Sequence, residues 1–217
     1  VIAFASDGIK LAVGKEPAAR IDERADKSYS TQVYYCQSIG ATRMEEEKVV
    51  LVDTEDNPVG TMPKMEAHEK AVLHRAFSVF ILNEKGELML QQRALHKYHS
   101  PGLWTNTCCS HQREGEGNLE AGKRRLQEEM GFSTSLEALF SFIYKAPFDN
   151  GLTEHELDHV LLGDYEEAPE INPEEVAAWK WMPLEAIAQA LQETPKEFTV
   201  WFKIIFDRFY KHINSIK

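Results

Sequence analysis

Cysteine is scarce in this sequence: Cys36, Cys108 and Cys109 are the only three in 217 residues. An odd number with two adjacent is a poor disulfide framework, and a zinc site built from thiolates alone lacks its fourth ligand. The scarcity fits a reducing compartment, and the sequence predicts a cytoplasmic protein. Long apolar runs are missing too. None approaches the roughly 20 residues that a membrane span requires, and the front end has no segment apolar enough for a secretory signal. Basic residues are outnumbered: 24 Lys and Arg against 35 Asp and Glu leave a formal charge of −11. Such a field repels nucleic-acid backbones and anionic lipid, so neither nucleic acid nor membrane is expected as a partner. A small anionic substrate remains compatible if Lys, Arg or a metal ion reverses the field locally. Internal repeats and low-complexity tracts are absent. What is present, 43% hydrophobic and 27% charged residues, is enough to fill one ordinary core.

Residues 1–43 carry no sustained helical or strand period. Asp7, Glu16, Asp22, Glu23 and Asp26 argue against a transit peptide. The sequence predicts a weakly ordered or extraneous N-terminal extension over 1–43 and a single folded domain over 44–217. Within that domain "KVVLVD" reads as a strand and "TEDNPVG" as a turn. "RAFSVFILN", "EKGE" and "LMLQQR" read as strand, tight turn and strand. "NLEAGKRRLQEEMGF" is helical, with Leu119, Gly122, Lys123, Leu126 and Met130 three or four residues apart and Gly131 as its stop. "LEALFSFIYKA" and "LDHVLLGDY" are strand-like, and "PLEAIAQALQETP" and "KEFTVWFKIIFDRFYKHI" are amphipathic helices. The fold class is therefore α/β (α+β): a mixed β-sheet sandwich flanked by helices.

The candidate chemistry starts at "WTNTCCSH", where adjacent thiols precede His111. A zinc site, a redox pair and a catalytic thiol beside a metal ligand are all compatible with it. His68 and His74 flank "HEKAVLH" just before a predicted strand. Singly, each histidine reads as an ordinary polar residue. Three of them at the ends of predicted strands point to a metal site, since sheet ends converge. In "TEHELDH", Glu154 and Glu156 share a strand face because the side-chain period is two. A solvated acidic edge explains them equally well in isolation. Imidazoles and carboxylates together suit Mg²⁺, Mn²⁺ or Zn²⁺.

A third signal runs from Ser110 to Phe132. The Nudix box, G-x5-E-x7-R-E-U-x-E-E-x-G-U, falls on Ser110, Glu116, Arg124, Arg125, Leu126, Glu128, Glu129, Gly131 and Phe132. Its first Gly has become Ser110, and one carboxylate has become Arg125. A diphosphate hydrolase clusters carboxylates on Mg²⁺ to activate water. A guanidinium in that place removes a ligand and adds a phosphate donor. The helix thus reads as suited to gripping a diphosphate rather than cutting it.

Taken together, "LHRAFSVFILN", "LQQR", "PGLWTNTCCSH", "RRLQEEMGF" and "TEHELDHV" resemble the type I isopentenyl-diphosphate isomerases, a Nudix-fold family. The resemblance runs from about Glu47 to Tyr210. It implies the interconversion of isopentenyl and dimethylallyl diphosphate through a tertiary carbocation, which requires a dry site with an acid and a base on opposite faces of the alkene. Cys109 matches the family's catalytic thiol, with Cys108 pointing away. Glu156 matches the second acid–base residue, and Tyr144 a tyrosine that hydrogen-bonds beside it. The resemblance gives Glu156 the protonation and Cys109 the C2 proton. His68, His74, His111, Glu154 and Glu156 match five ligands of a divalent ion. Glu129 matches a carboxylate of a second Mg²⁺ that arrives with substrate. Trp201 matches an aromatic facing the cation, and Lys64, Arg93, Lys97 and Arg125 match basic residues around the diphosphate. The partner implied is a small prenyl diphosphate, with the protein a monomer or weak dimer. Gln112 stands where many relatives have proline, which predicts a looser turn after His111. A Nudix hydrolase of diphosphates and a non-catalytic domain holding structural zinc are the competing readings. Arg125 and the thiol beside a ligand histidine argue against the hydrolase.

Overall fold

A computed structural model describes residues 9–13, 18–24, 30–36 and 39–43 as backbone strands, and residues 47–97, 99–148 and 151–216. The chain divides into two compact units, Val1–Glu47 and Lys48–Lys217. In the first, β1 (Ile9–Val13) pairs antiparallel with β4 (Ile39–Arg43), and β2 (Ala18–Arg24) with β3 (Ser30–Cys36). These strands stand where the sequence shows no strand period. The expected weak order of the rest of 1–43 lies outside the described residues. The second unit opens at Lys48, beyond the expected start at Met44.

The second unit is built on a mixed sheet of nine strands among the described residues. Its middle is β7 (His74–Leu82), buried along nearly its whole length on both faces. A strand covered on both sides reads as a continuous apolar run, and "HRAFSVFIL" is one. β12 (Thr153–Asp164) lies parallel to β7 with Glu156 beside His74, and β11 (Leu136–Pro147) pairs antiparallel with β12, placing Tyr144 opposite Glu156. β10 (Cys108–Ser110) runs antiparallel to β7 with Cys109 opposite Ser78. β8 (Glu87–Arg93) joins β7 through a tight turn at Leu82 and Leu88, and also pairs with β9 (Trp104–Thr105).

Side-chain alternation along β7 splits the core in two. One cluster joins Phe80 and Val160 to Trp201, Phe202, Ile205, Phe206 and Phe209 of α4 (Val200–Ile216) and to Leu184 and Ile187 of α3 (Leu184–Glu193). The other joins Phe77, Val79 and Ile81 to Ala121, Leu126 and Met130 of α2 (Asn118–Met130). Gly122 lets α2 press onto the sheet: a Cβ there would lie 2.7 Å from Leu161 Cδ1 and 2.8 Å from Leu136 Cδ1. Leu119, the first of the residues spaced three or four apart, is 39% exposed. Gly131 caps α2 at φ +74°, as the sequence predicts.

Two strands were not legible. The expected turn "TEDNPVG" closes by residue 57, and Pro58 opens β6 (Pro58–Pro63), which pairs with β5 (Lys48–Val52). "VAAWKWMP" forms β13 (Val176–Pro183) against β8. No helix among the described residues is long and apolar enough to cross a membrane.

Candidate active site

α1 (Lys64–Glu69) carries His68, β7 begins with His74, and His111 follows β10. These elements bring the three imidazoles around one carboxylate. Glu156 Oε1 lies 3.2 Å from His111 Nε2, 3.5 Å from His74 Nε2 and 4.0 Å from His68 Nε2. All four residues are buried, and one potential ligand atom from each lies within 4.8 Å of the others. Nδ1 of His74 is 2.8 Å from the Val72 carbonyl oxygen, so it donates there and leaves Nε2 with its lone pair. The buried Nε2 atoms of His68 and His74 have no hydrogen-bond partner among the described residues. Buried polar atoms are ordinarily satisfied, and an electrophile between them would satisfy both. The group therefore fits a divalent metal ion. Burial, with His111 and His74 nearby, holds His68 down to a pKa of about 3 against the pull of Glu156. Burial also lowers His111, and neutral imidazole is the ligand form.

Glu154 is not among the four. Its Oε2 lies 3.0 Å from the Tyr144 hydroxyl, which lies 2.6 Å from Glu156 Oε2. Burial and the neighbouring Glu156 charge push the Glu154 carboxyl well above its usual range. Burial acts on Glu156 in the same sense, but the hydrogen bond from His111 leads the opposing effects, and Glu156 is held well below. The tyrosine has one proton to give. The Tyr144 hydroxyl therefore bridges the two carboxylates, at the shorter distance to Glu156. Asp158, next on this face of β12, is also buried, accepts from Ser78 Oγ at 2.9 Å, and is raised to about 8 by burial and Glu156.

The two cysteines face opposite cores, as strand alternation predicts. Cys108 is buried in the α2 cluster, whereas Cys109 packs against the α4 cluster. The register Cys109–Ser78 puts the Cys109 thiol on the face of β7 that carries His74, and Glu156 shares that face through Tyr144 and Asp158. Burial raises the Cys109 pKa, with Glu129, Glu154 and Glu156 adding to the effect and Arg93 opposing it.

The basic residues fall into two groups. Arg125 on α2 donates to Glu128 Oε2 at 2.7 Å and Glu129 Oε1 at 2.5 Å, and its guanidinium lies 3.5 Å from Glu175. Lys97 also pairs with Glu175. Glu129 is buried and accepts from Gln91 Nε2 at 3.0 Å. Glu175 and Gln91 thus organise this cluster without having been singled out from sequence; Gln91 lies within "LQQR" with no role assigned to it, and Glu175 lies in no motif. Arg93 is apart, its guanidinium carbon 5.2 Å from the centroid of the buried Trp201 ring. Lys64 opens α1, and its charge helps depress His68 and His111. Within the box, Arg124 joins Glu116, at 2.6 Å and 2.9 Å, to Glu128. The turn after His111 is held rather than loosened: Gln112 Nε2 donates to Asn118 Oδ1 at 2.9 Å and to the Ala76 carbonyl at 3.3 Å.

A family model of the NUDIX domain matches residues 72–202. A second model, of phage capsid protein, matches residues 1–56. The isopentenyl-diphosphate Delta-isomerase of Pectobacterium atrosepticum is 48% identical over 170 residues, 78% of this chain and 95% of that protein. The isopentenyl-diphosphate Delta-isomerase of Serratia proteamaculans is 48% identical over 160 residues, 74% and 89% of the two chains. Among solved structures, a Deinococcus radiodurans protein superposes with a TM-score of 0.63 at 21% identity, covering 75% of this chain and 98% of its own. A MutT protein from Methanosarcina mazei does so with a TM-score of 0.53 at 19% identity, covering 64% and 94%. At such identities these two likenesses speak for the fold.

Proposed function

The chain belongs to the type I isopentenyl-diphosphate Delta-isomerases of the Nudix fold, and from that we propose that it interconverts isopentenyl and dimethylallyl diphosphate in isoprenoid biosynthesis. Likeness over nearly the whole length of the bacterial isomerases carries this reading.

His68, His74, His111 and Glu156 would hold a divalent ion, with Glu154 two hydrogen bonds behind Glu156 through Tyr144. Mg²⁺, Mn²⁺ and Zn²⁺ all suit that donor set. When bound, the ion supplies fixed positive charge that orients the Glu156 carboxylate. The chain's own residues then move the protons. Glu154 stores one, Tyr144 passes it on, and Glu156 delivers it to the terminal alkene carbon. Cys109 takes a proton from C2. It enters the step as the thiolate, its own proton having passed to solvent, and leaves as the thiol that burial favours, so one proton is gained at the terminal carbon and one is lost from C2. Trp201 presents its π face to the tertiary cation, an interaction worth about 2 kcal/mol when desolvated, or roughly 30-fold in rate. Burial of Trp201 and its neighbours keeps water, the competing nucleophile, away.

Lys64, Arg93, Lys97 and Arg125 receive the diphosphate. Glu129 would be the carboxylate for a second Mg²⁺ entering with it. Arg125 and Lys97 are paired with Glu128, Glu129 and Glu175 in the free protein, so a diphosphate would compete for these two cations while Mg²⁺ would offset the carboxylates. The reduced adjacent cysteines support a cytoplasmic setting.

The test is incubation of the metal-loaded protein with isopentenyl diphosphate and Mg²⁺. Dimethylallyl diphosphate should accumulate to an equilibrium mixture without release of phosphate. Inorganic phosphate or pyrophosphate as the product would replace the isomerase with a hydrolase.

A further inference from the structure

Trp201 is held in an orientation that its own chemistry does not explain. It is buried, yet its Nε1–H has no hydrogen-bond partner among the described residues. A buried indole ordinarily finds a partner for that donor, and leaving it unpaired is unfavourable. Packing from outside α4 must therefore fix the ring.

Two loops supply it. His99, between β8 and β9, meets the indole edge-on, with centroids 5.6 Å apart and planes at 79°. Phe148, just after β11, meets it at 6.4 Å and 75°. His99 and Phe148 are themselves 5.5 Å apart, which closes a three-ring cluster. Edge-to-face pairs at such spacings are attractive because the positive ring edge meets the negative face. The same residue reaches the basic group: Arg93 Nη2 donates to the His99 carbonyl oxygen at 3.3 Å.

The loop that carries His99 is closed at its base. Arg93 N–H donates to the Leu103 carbonyl at 3.0 Å, and Gly102 N–H to the Arg93 carbonyl at 3.1 Å. Ser100 adopts φ +48°, a left-handed conformation that L-residues other than Gly seldom take. Such strain persists where surrounding contacts impose it, and it gathers at working sites.

We propose that His99 is a positioning residue of the isomerase, its ring setting the plane of Trp201 and its carbonyl holding Arg93, so that one residue aligns the wall for the hydrocarbon with a group for the diphosphate. This rests on the functional reading above. Burial, with the charges of Arg93 and Lys64, holds the imidazole down to a pKa of about 3. The ring beside the cation slot is therefore uncharged, as stabilising a carbocation requires.

Steady-state kinetics on isopentenyl diphosphate with the metal-loaded full chain tests it. His99→Leu fills the space without a ring edge and keeps the backbone carbonyl. It should lower kcat about tenfold, about 1.4 kcal/mol in activation free energy, and leave KM within about twofold. His99→Phe restores the edge contact and should recover most of kcat. Thermal melts accompany both variants, because a purely structural role would move the melting temperature and leave the kcat of the folded fraction alone. An unchanged kcat in His99→Leu overturns the inference, as does a loss confined to KM or a failure of His99→Phe to recover. A folded, metal-loaded wild type that does not isomerise overturns the functional reading, and the inference with it.

Discussion

Glu156 takes part in two arrangements through its two oxygens. Oε1 faces the histidines at 3.2–4.0 Å, and Oε2 accepts from Tyr144 at 2.6 Å. That division lets one carboxylate be a metal ligand on one side and the end of a proton chain on the other. Cys109 has no such ties, so substitution there should separate chemistry from structure. Cys109→Ser is expected to stay folded and bind its metal while kcat falls by about 10²–10⁴, the span that a positioned acid or base contributes. Metal analysis alongside kinetics checks this, and a serine variant within tenfold of wild type would remove sulfur from the mechanism. Much at this scale was legible as residue types. His68, His74, His111 and Glu156 were singled out in the sequence and converge in the structure. Glu175, Gln91 and His99 were not, because their roles come from loops and strand ends brought together only by folding.

The elements read best where one physical signal dominates. β7 announced itself by an unbroken apolar run, and α2 by helical spacing with a glycine stop. β6 escaped notice because, among the described residues, it pairs only with β5 and is half exposed, so it shows no apolar alternation and even opens on a proline. β13 mixes partly exposed Trp179, Lys180 and Trp181, and no run marks it. The α2 C-cap gives a sharp test of how that helix is held. At Gly131, φ is +74° and an added Cβ would lie 2.3 Å from the Glu170 carbonyl oxygen. The left-handed conformation alone costs roughly 1–2 kcal/mol for an L-residue, and the overlap with backbone adds to it. Gly131→Ala should thus cost about 3 kcal/mol and lower the melting temperature by about 6–12 °C. An unchanged melting temperature would show that the turn into Ser133 relaxes freely.

For the molecule as a whole, the buried histidines tie stability to pH. His68 has a pKa of about 3 in the fold against 6.5 as its ordinary value. Between those values the unfolded chain binds a proton and the folded one does not, so stability falls as pH drops from about 6.5 toward 3. Metal binding has the same sign, since protons compete for the imidazoles. Metal-loaded protein should melt well above chelator-treated protein at about pH 7.5, by mass action, and the gap should close only as pH falls toward 3, where protons reach the folded His68. Equal melting curves across that range would contradict a metal held by these histidines. The second unit, Lys48–Lys217, contains every residue of the proposed site. The reaction itself is tested most directly by proton NMR of isopentenyl diphosphate in D₂O with the metal-loaded protein and Mg²⁺. Deuterium entering the new methyl group of dimethylallyl diphosphate, with the diphosphate intact, is the predicted result. A substrate that loses phosphate, or a methyl group that forms without solvent deuterium, would contradict proton delivery by Glu156 and removal by Cys109.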